Sequence, residues 1–214
     1  MRNGSVLTSI FKSPVAGRVA IVGHNIAGDQ QSDLRVHGGP YKAVYCYPEE
    51  HYPFWKGELP GLGLAGMDLP YGMFGENLTT EGLNEQDVCI GDRLRAGSAL
   101  LQVTQPRMPC FKLAIRFDRS DMVKRFWQSG RSGFYLSVVE EGDVAAGDSL
   151  EITARDPERV SLADVVRMYR GGDTREELFE RIQRSPLFGS WKRDLRDRRS
   201  ALQFDFSELP ISEV

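Results

Sequence analysis

The chain has only three histidines and three cysteines, no strong excess of positive charge and no long apolar run. Each shortage removes a class of function. A membrane span needs roughly 20 consecutive apolar residues, and nothing here approaches that. The first residues, Met1 to Ser5, lack the apolar core of a secretion signal, which points to the cytoplasm. A formal net charge of -3 gives no support for nonspecific nucleic-acid binding, which rests on cationic surfaces. Cys46, Cys89 and Cys110 cannot all pair within one chain, and their spacing does not match a Cys-x-x-Cys zinc site. An iron–sulfur cluster normally takes four cysteines, so electrons for any redox reaction would come from another protein. No repeat organises the chain.

The composition that remains is that of an ordinary globular protein, 41% hydrophobic and 27% charged. Up to about residue 155 the pattern is short strands broken by glycine-rich turns. The strand candidates are Val6 to Phe11, Val19 to Val22, Asp33 to Val36, Ala43 to Tyr47, Leu94 to Ala96, Leu100 to Thr104, Phe134 to Val139 and Ser149 to Ala154. So many short strands suggest a closed or partly closed barrel. Short helices are expected from Pro48, over Cys110 to Arg116 and over Asp121 to Gln128. Val88 to Leu94 and Val144 to Leu150 each read as a Gly-Asp turn entering a strand.

Near residue 155 the pattern changes. Arg155-Asp156-Pro157-Glu158-Arg159 is a polar linker. Ser161 then opens a helix with Leu162, Val165, Val166 and Tyr169 on one face, closed by Gly171-Gly172. Thr174 to Glu177 has the form of a capping box, and Ser185-Pro186 reads as the cap of a third helix carrying Phe188, Trp191 and Leu195. The expected class is mainly β (α+β): a barrel core over residues 1–155, and a three-helix appendage with a tail over residues 156–214. Trp191 to Arg199 is locally basic, but Asp194 and Asp197 interleave with its cations, as on a solvated or partner-docking face.

Four segments hold the polar groups that could gather into one site. Gln105-Pro106-Arg107-Met108-Pro109-Cys110-Phe111-Lys112 sets a cysteine after a proline, with Arg107 and Lys112 on either side. The thiolate is the nucleophile and the metal ligand, and nearby cations favour it. Alone, the segment is better read as a core cysteine beside surface cations. His37-Gly38-Gly39-Pro40-Tyr41-Lys42 offers free amides between two cations, which suits a phosphate. Alone, it is more simply a turn. Glu76-Asn77 pairs a carboxylate with a carboxamide, able to read a pterin or purine edge, and alone is better read as a surface turn. Gly130 to Tyr135 is a loop entering an aromatic strand.

Taken together and in this order, His-Gly-Gly-Pro-x-Lys-Ala, Phe-Gly-Glu-Asn-Leu, Gly-Asp and Gln-x-Arg-x-Pro-Cys-x-Lys-Leu resemble the MOSC family, the molybdenum cofactor sulfurase C-terminal domains. The resemblance runs from about residue 5 to 200 and favours the small stand-alone bacterial members. It implies a MOSC-type β-barrel that binds the molybdenum cofactor (molybdopterin), with Cys110 as the protein ligand to the metal. Soft thiolate ligation agrees with such a site. His37, Gly38, Gly39, Lys42, Arg107 and Lys112 are then the cofactor-binding candidates. Glu76 and Asn77 join Cys110 as the catalytic ones. The implied activity is reduction of N-hydroxylated compounds, such as hydroxylaminopurines, to amines. A flavoprotein reductase or small electron carrier would supply the electrons. The alternative is a sulfur or cofactor carrier using Cys110 without reductive turnover. No membrane or nucleic-acid partner is expected, and a homodimer is possible.

Overall fold

The computed structural model describes residues 8–31, 38–62 and 65–203. Among the described residues, nine strands form two sheets. The smaller has the order β2-β1-β8, with β1 at Val19–Val22, β2 at Asn25–Ile26 and β8 at Gly142–Val144. The larger has the order β4-β3-β7-β6-β5-β9. Its strands are β3 (Val44–Pro48), β4 (Leu78–Thr80), β5 (Arg93–Ala96), β6 (Ala99–Pro106), β7 (Phe134–Glu140) and β9 (Leu150–Ala154). Only β3 and β4 run parallel; the other neighbours are antiparallel. Register shifts at Leu100/Leu101 and Val103/Gln105 interrupt the pairing of β6 with β7, and another at Arg93/Leu94 interrupts that of β5 with β9. Such bulges bend a strand and increase its twist. They curl the six-stranded sheet into a half-barrel.

Strand β3 shows how sequence alternation builds two cores. All five of its residues are buried. Val44 and Cys46 join Leu101, Val103, Phe134 and Leu136 in one cluster. Tyr45 and Tyr47 face the other way, into an aromatic cluster with Tyr52, Trp55, Phe74 and Phe126. Helix α1 (Tyr52–Glu58), α2 (Phe111–Phe117) and α3 (Met122–Ser129) cover that second face. Trp55 stacks on Phe126 with centroids 5.9 Å apart, and its indole N–H donates to the Tyr47 hydroxyl at 2.7 Å.

The C-terminal helices are α4 (Leu162–Tyr169), α5 (Glu176–Arg184) and α6 (Gly189–Gln203). Val165, Leu178, Ile182, Trp191 and Leu195 enter the same cluster as the inner face of the sheet. Asp92, fully buried, ties the two parts. It accepts from the Cys89 and Asp156 amides and from Arg155. Gly91 beside it has a φ of +87°, and a Cβ there would lie 2.5 Å from Asp156. The second Gly-Asp turn repeats the bond, Asp148 accepting from the Ala145 amide. Within the basic stretch, Arg198 lies over the Tyr169 ring and Arg196 donates to Gln183, so part of that charge is used inside the fold.

Several sequence expectations need correction. Of the strand expected over Val6 to Phe11, the described part, Thr8 onward, is not a strand. Asp33 to Val36 lies outside the described residues. β2, β4 and β8 are too short to show a period. The capping box falls at Ser161 and Asp164, not at Thr174. Arg175 is the cap residue of α5, after a turn that Asp173 makes by accepting from the Arg175 amide. Ser185 closes α5, its hydroxyl donating to the Ile182 carbonyl, and α6 begins at Gly189.

Candidate functional site

β6 ends at Pro106, and four residues later α2 begins with Cys110 in its cap position. The Cys110 side chain makes no capping bond to α2. Cys110 lines a cleft on the aromatic side of the sheet with Lys12, Lys42, Arg107, Lys112 and Asn77. Tyr45 and Tyr135 form part of its wall. Among the described residues, four cations thus line the cleft with the thiol, against one carboxylate, Asp29.

Each cation is held differently. Arg107 is buried, donates to the Phe74 carbonyl, and lies over the rings of Tyr45 and Phe126 at 4.6 and 5.4 Å. Lys42 closes a short turn, Pro40–Lys42, and its ammonium is 5.9 Å from the Tyr135 ring centre. Burial holds this ammonium below the usual lysine range, and a negative charge at Cys110 opposes the shift. Lys12 pairs with Asp29 at 2.7 Å. Burial lowers its pKa too, with Asp29 opposing. Lys112 is buried in the first turn of α2.

Asn77 has a bridging place. Its side-chain carbonyl accepts from the Tyr45 amide at 2.9 Å, and its amide group donates to Asp29 at 2.7 Å. Glu76 sits behind the cleft. Its carboxylate accepts from the Tyr52 hydroxyl, from the Gly72 amide at 2.7 Å and from the Phe74 amide at 3.0 Å. Burial and then the Glu76 charge push the Tyr52 phenol well above its ordinary range. The Glu76 turn thereby fixes the carbonyl that receives Arg107.

The loop before β7 supports the same arginine. The Gly133 carbonyl accepts from the Arg107 amide at 3.4 Å, and the Ser132 carbonyl accepts from the Tyr45 hydroxyl at 2.8 Å. Gly133 has a φ of +60°, and a Cβ there would meet the Cys46 carbonyl at 2.4 Å. Its amide donates to Glu85, which pairs with buried His51 at 2.8 Å.

Gln105 is an unsatisfied buried group on this side of the sheet. It is 1% exposed, and neither its carbonyl nor its amide group has a partner. Gln105 is directly opposite Tyr135 on β7, which is opposite Tyr45 on β3. Directly paired residues share a sheet face, so Gln105 belongs to the face that carries the cleft. A buried amide without partners costs about 1–3 kcal/mol.

The structure therefore brings together Cys110, Lys42, Arg107, Lys112 and Asn77. It sets Glu76 one layer back. Gly38 and Gly39 precede the turn that carries Lys42 and are not part of the cleft wall. His37 lies outside the described residues. Sequence reading missed Lys12 and Asp29, which carry no motif, and Tyr45, which read only as a strand aromatic; Tyr135, the end of the fourth candidate segment, does line the cleft.

A curled half-barrel with a cysteine at the strand-to-helix junction, facing a cluster of cations, defines the class. The MOSC domain profile matches residues 33–151, and the chain belongs to that family. Among its relatives, YflK of Bacillus subtilis is 41% identical over 196 residues, covering 91% of this chain and 86% of YflK. A protein named reductase from Gibberella moniliformis is 33% identical over 186 residues, 86% of this chain but 32% of that longer protein. The crystal structure of YiiM from Geobacillus stearothermophilus superposes with a TM-score of 0.74 at 35% identity, covering 90% of each chain. MOSC domains are associated with the molybdenum cofactor.

Proposed function

We propose that this protein binds the molybdenum cofactor with Cys110 as metal ligand and reduces N-hydroxylated compounds to amines. The observation that carries the reading is the cleft itself: one thiol faced by Lys12, Lys42, Arg107 and Lys112. The donor set fits the group. A soft thiolate suits the metal, and four cations suit an anionic cofactor. Among the described residues no three His, Cys, Asp or Glu side chains gather as a metal site. Cys110 would thus be one protein ligand to a metal that brings its other ligands with it. The orphaned Gln105 amide offers a donor and an acceptor on the same face.

When bound, the cofactor supplies a centre that accepts oxygen from an N–OH group. Two electrons and two protons convert that group to N–H and water. The chain holds and orients. Arg107, fixed by Phe74 and Tyr45, is a permanent charge that need not reorganise. Burial makes Lys42 and Lys12 give up a proton more readily than ordinary lysines, and both line the cleft. The electrons come from a partner, a flavoprotein reductase or small carrier, in the cytoplasm. The long relative named reductase supports this, since a stretch like this chain lies within a larger polypeptide there.

The test is metal and pterin analysis of protein made in a cofactor-competent host, wild type beside Cys110→Ser, followed by turnover of a hydroxylaminopurine with a reductase system. Stoichiometric molybdenum and pterin in the wild type, with activity lost in the variant, supports the reading. Loaded protein without turnover favours a carrier. Absence of metal and pterin, under conditions that load another molybdoenzyme, overturns it.

A further inference from the structure

Outside the cleft, one buried pair of titratable groups has no part in the function proposed above. His51 is 8% exposed and Glu85 5% exposed, and neither lines the cleft. His51 ends a short helix, Glu49–His51, directly after β3. Glu85 lies in the stretch between β4 and β5. Both carboxylate oxygens of Glu85 are within hydrogen-bond reach of the His51 Nε2, at 3.0 and 2.8 Å. The His51 ring stands edge-on to Tyr47, with 5.3 Å between centres. A buried ion pair is weak evidence for stability, because apolar residues of the same shape often do as well. What a buried polar network supplies is a fixed position, provided its other bonds are satisfied.

Those other bonds lead to the cleft. The Glu85 carboxylate also accepts from the Gly133 amide at 2.6 Å, and its backbone carbonyl accepts from the Ala163 amide at 2.9 Å. The first turn of α4 therefore fixes Glu85, and Glu85 fixes the loop before β7. Gly133 is pressed onto Tyr45: a Cβ there would come within 2.9 Å of the ring and of the hydroxyl. The Ser132 carbonyl beside it accepts from that hydroxyl at 2.8 Å. Arg107 lies over the same ring at 4.6 Å, and its amide donates to the Gly133 carbonyl. His51, Glu85, Gly133, Tyr45 and Arg107 thus form a continuous line of bonds and packed contacts. Of these five, Tyr45 and Arg107 line the cleft.

We infer that His51 and Glu85 are positioning residues for the cleft: they hold the loop 130–133 against Tyr45 and so aim the Arg107 guanidinium at an anion bound beside Cys110. The Gly133 amide needs an acceptor, and that acceptor needs a donor behind it. An ionised carboxylate accepts on both sides, and an imidazole N–H supplies the donor. A side-chain amide at either position keeps both bonds, and an apolar side chain does not. The effect on cofactor binding rests on the cleft reading above; the aim of Arg107 does not.

The experiment uses the full chain without cofactor and follows the Arg107 Nε–H signal by heteronuclear NMR, with a phosphate titration alongside. A guanidinium over two aromatic rings gives a ring-shifted signal, and its absence from Arg107→Lys assigns it. Glu85→Ala and His51→Phe each break the line; Glu85→Gln and His51→Gln keep it. Asp92→Asn is the control for lost stability, because Asp92 is buried and does not line the cleft. Glu85→Ala and His51→Phe are expected to move the Arg107 signal and to weaken phosphate binding about tenfold, while both glutamine variants stay close to wild type. Should Glu85→Ala fail to fold, His51→Phe, which keeps a ring against Tyr47, carries the test. An unchanged Arg107 signal in the folded apolar variants overturns the inference. So does a signal that moves as far in Asp92→Asn, since that is a general loss of order. Phosphate affinity that falls in Arg107→Lys but holds in Glu85→Ala and His51→Phe overturns it as well. Phosphate binding that is indifferent to Arg107→Lys counts against the cleft reading instead, and the Arg107 signal then decides the positioning alone.

Discussion

The guanidinium of Arg107 lies 4.6 Å from the ring centre of Tyr45, and the Tyr45 hydroxyl is itself held by the Ser132 carbonyl at 2.8 Å. This is a fixed cation on a fixed platform. A guanidinium stacks and forks where an ammonium acts only as a point charge. Arg107→Lys is therefore expected to keep the charge but lose its aim. The Phe74 carbonyl would lose its donor, costing about 1–3 kcal/mol. Denaturant unfolding should show that loss. Cofactor content, normalised to folded protein, should fall about tenfold. Unchanged content in a destabilised variant would make Arg107 a purely structural residue.

Cys110→Ser separates ligation from folding. The side chain makes no capping bond to α2 and stands at the cleft wall, not in the core. A cap residue whose side chain makes no capping bond has little of that kind to lose on substitution. Serine is also a good cap residue. The expected result is a cofactor-free melting curve close to wild type with molybdenum lost from the loaded preparation. A large drop in melting temperature of the cofactor-free protein would show that the thiol serves the fold instead.

Much of this site can be read along the chain, because its centre is local. Pro106, Arg107 and Cys110 fall at one strand-to-helix junction, and a proline followed by a cysteine at a helix start is visible in sequence. Lys42 is legible for the same reason, closing a short turn that starts at Pro40. Lys12 and Asp29 are not. They meet Asn77 only after the chain folds, and neither sits in a periodic or capping pattern. The segment around Ile10 shows the opposite failure. Ile10 is buried and Phe11 exposed, as a strand would alternate, yet the described part finds no strand partner. Strand β4 was missed because three residues hold no period; its pairing with β3 defines it.

Glu76 lies close to the chemistry, but its bonds come from the Gly72 and Phe74 amides of its own turn and from the hydroxyls of Tyr52 and Thr79. Glu76→Gln keeps the shape and one acceptor, and sets an amide group against the N–H groups of Gly72 or Phe74. The expected cost is about 1–3 kcal/mol. The consequence should reach Arg107 through the Phe74 carbonyl. Stability and cofactor content are expected to fall together, and a stabilising osmolyte should restore both. If activity vanishes while stability and cofactor content hold, Glu76 acts on the reacting groups directly.

Lys12 and Lys42 give the cleft a pH dependence with two opposite signs. Burial lowers both lysines below 10.5 in the folded protein. Between the folded value and 10.5 the unfolded chain holds more protons than the folded one. Stability therefore rises with pH across that window; below it, the cost of burying both charges is fully present. Anion binding runs the other way, because each deprotonation removes a cation from the cleft. Cofactor-free protein is expected to gain stability as the pH rises towards 10.5 while its affinity for phosphate, the simplest anionic probe, falls over the same range. Lys42→Met should flatten part of both trends. Denaturant titrations and phosphate binding across that pH range would check them. A stability that falls steadily with pH, without any rising segment, would mean that the charged lysines are stabilised by their partners more than burial disfavours them.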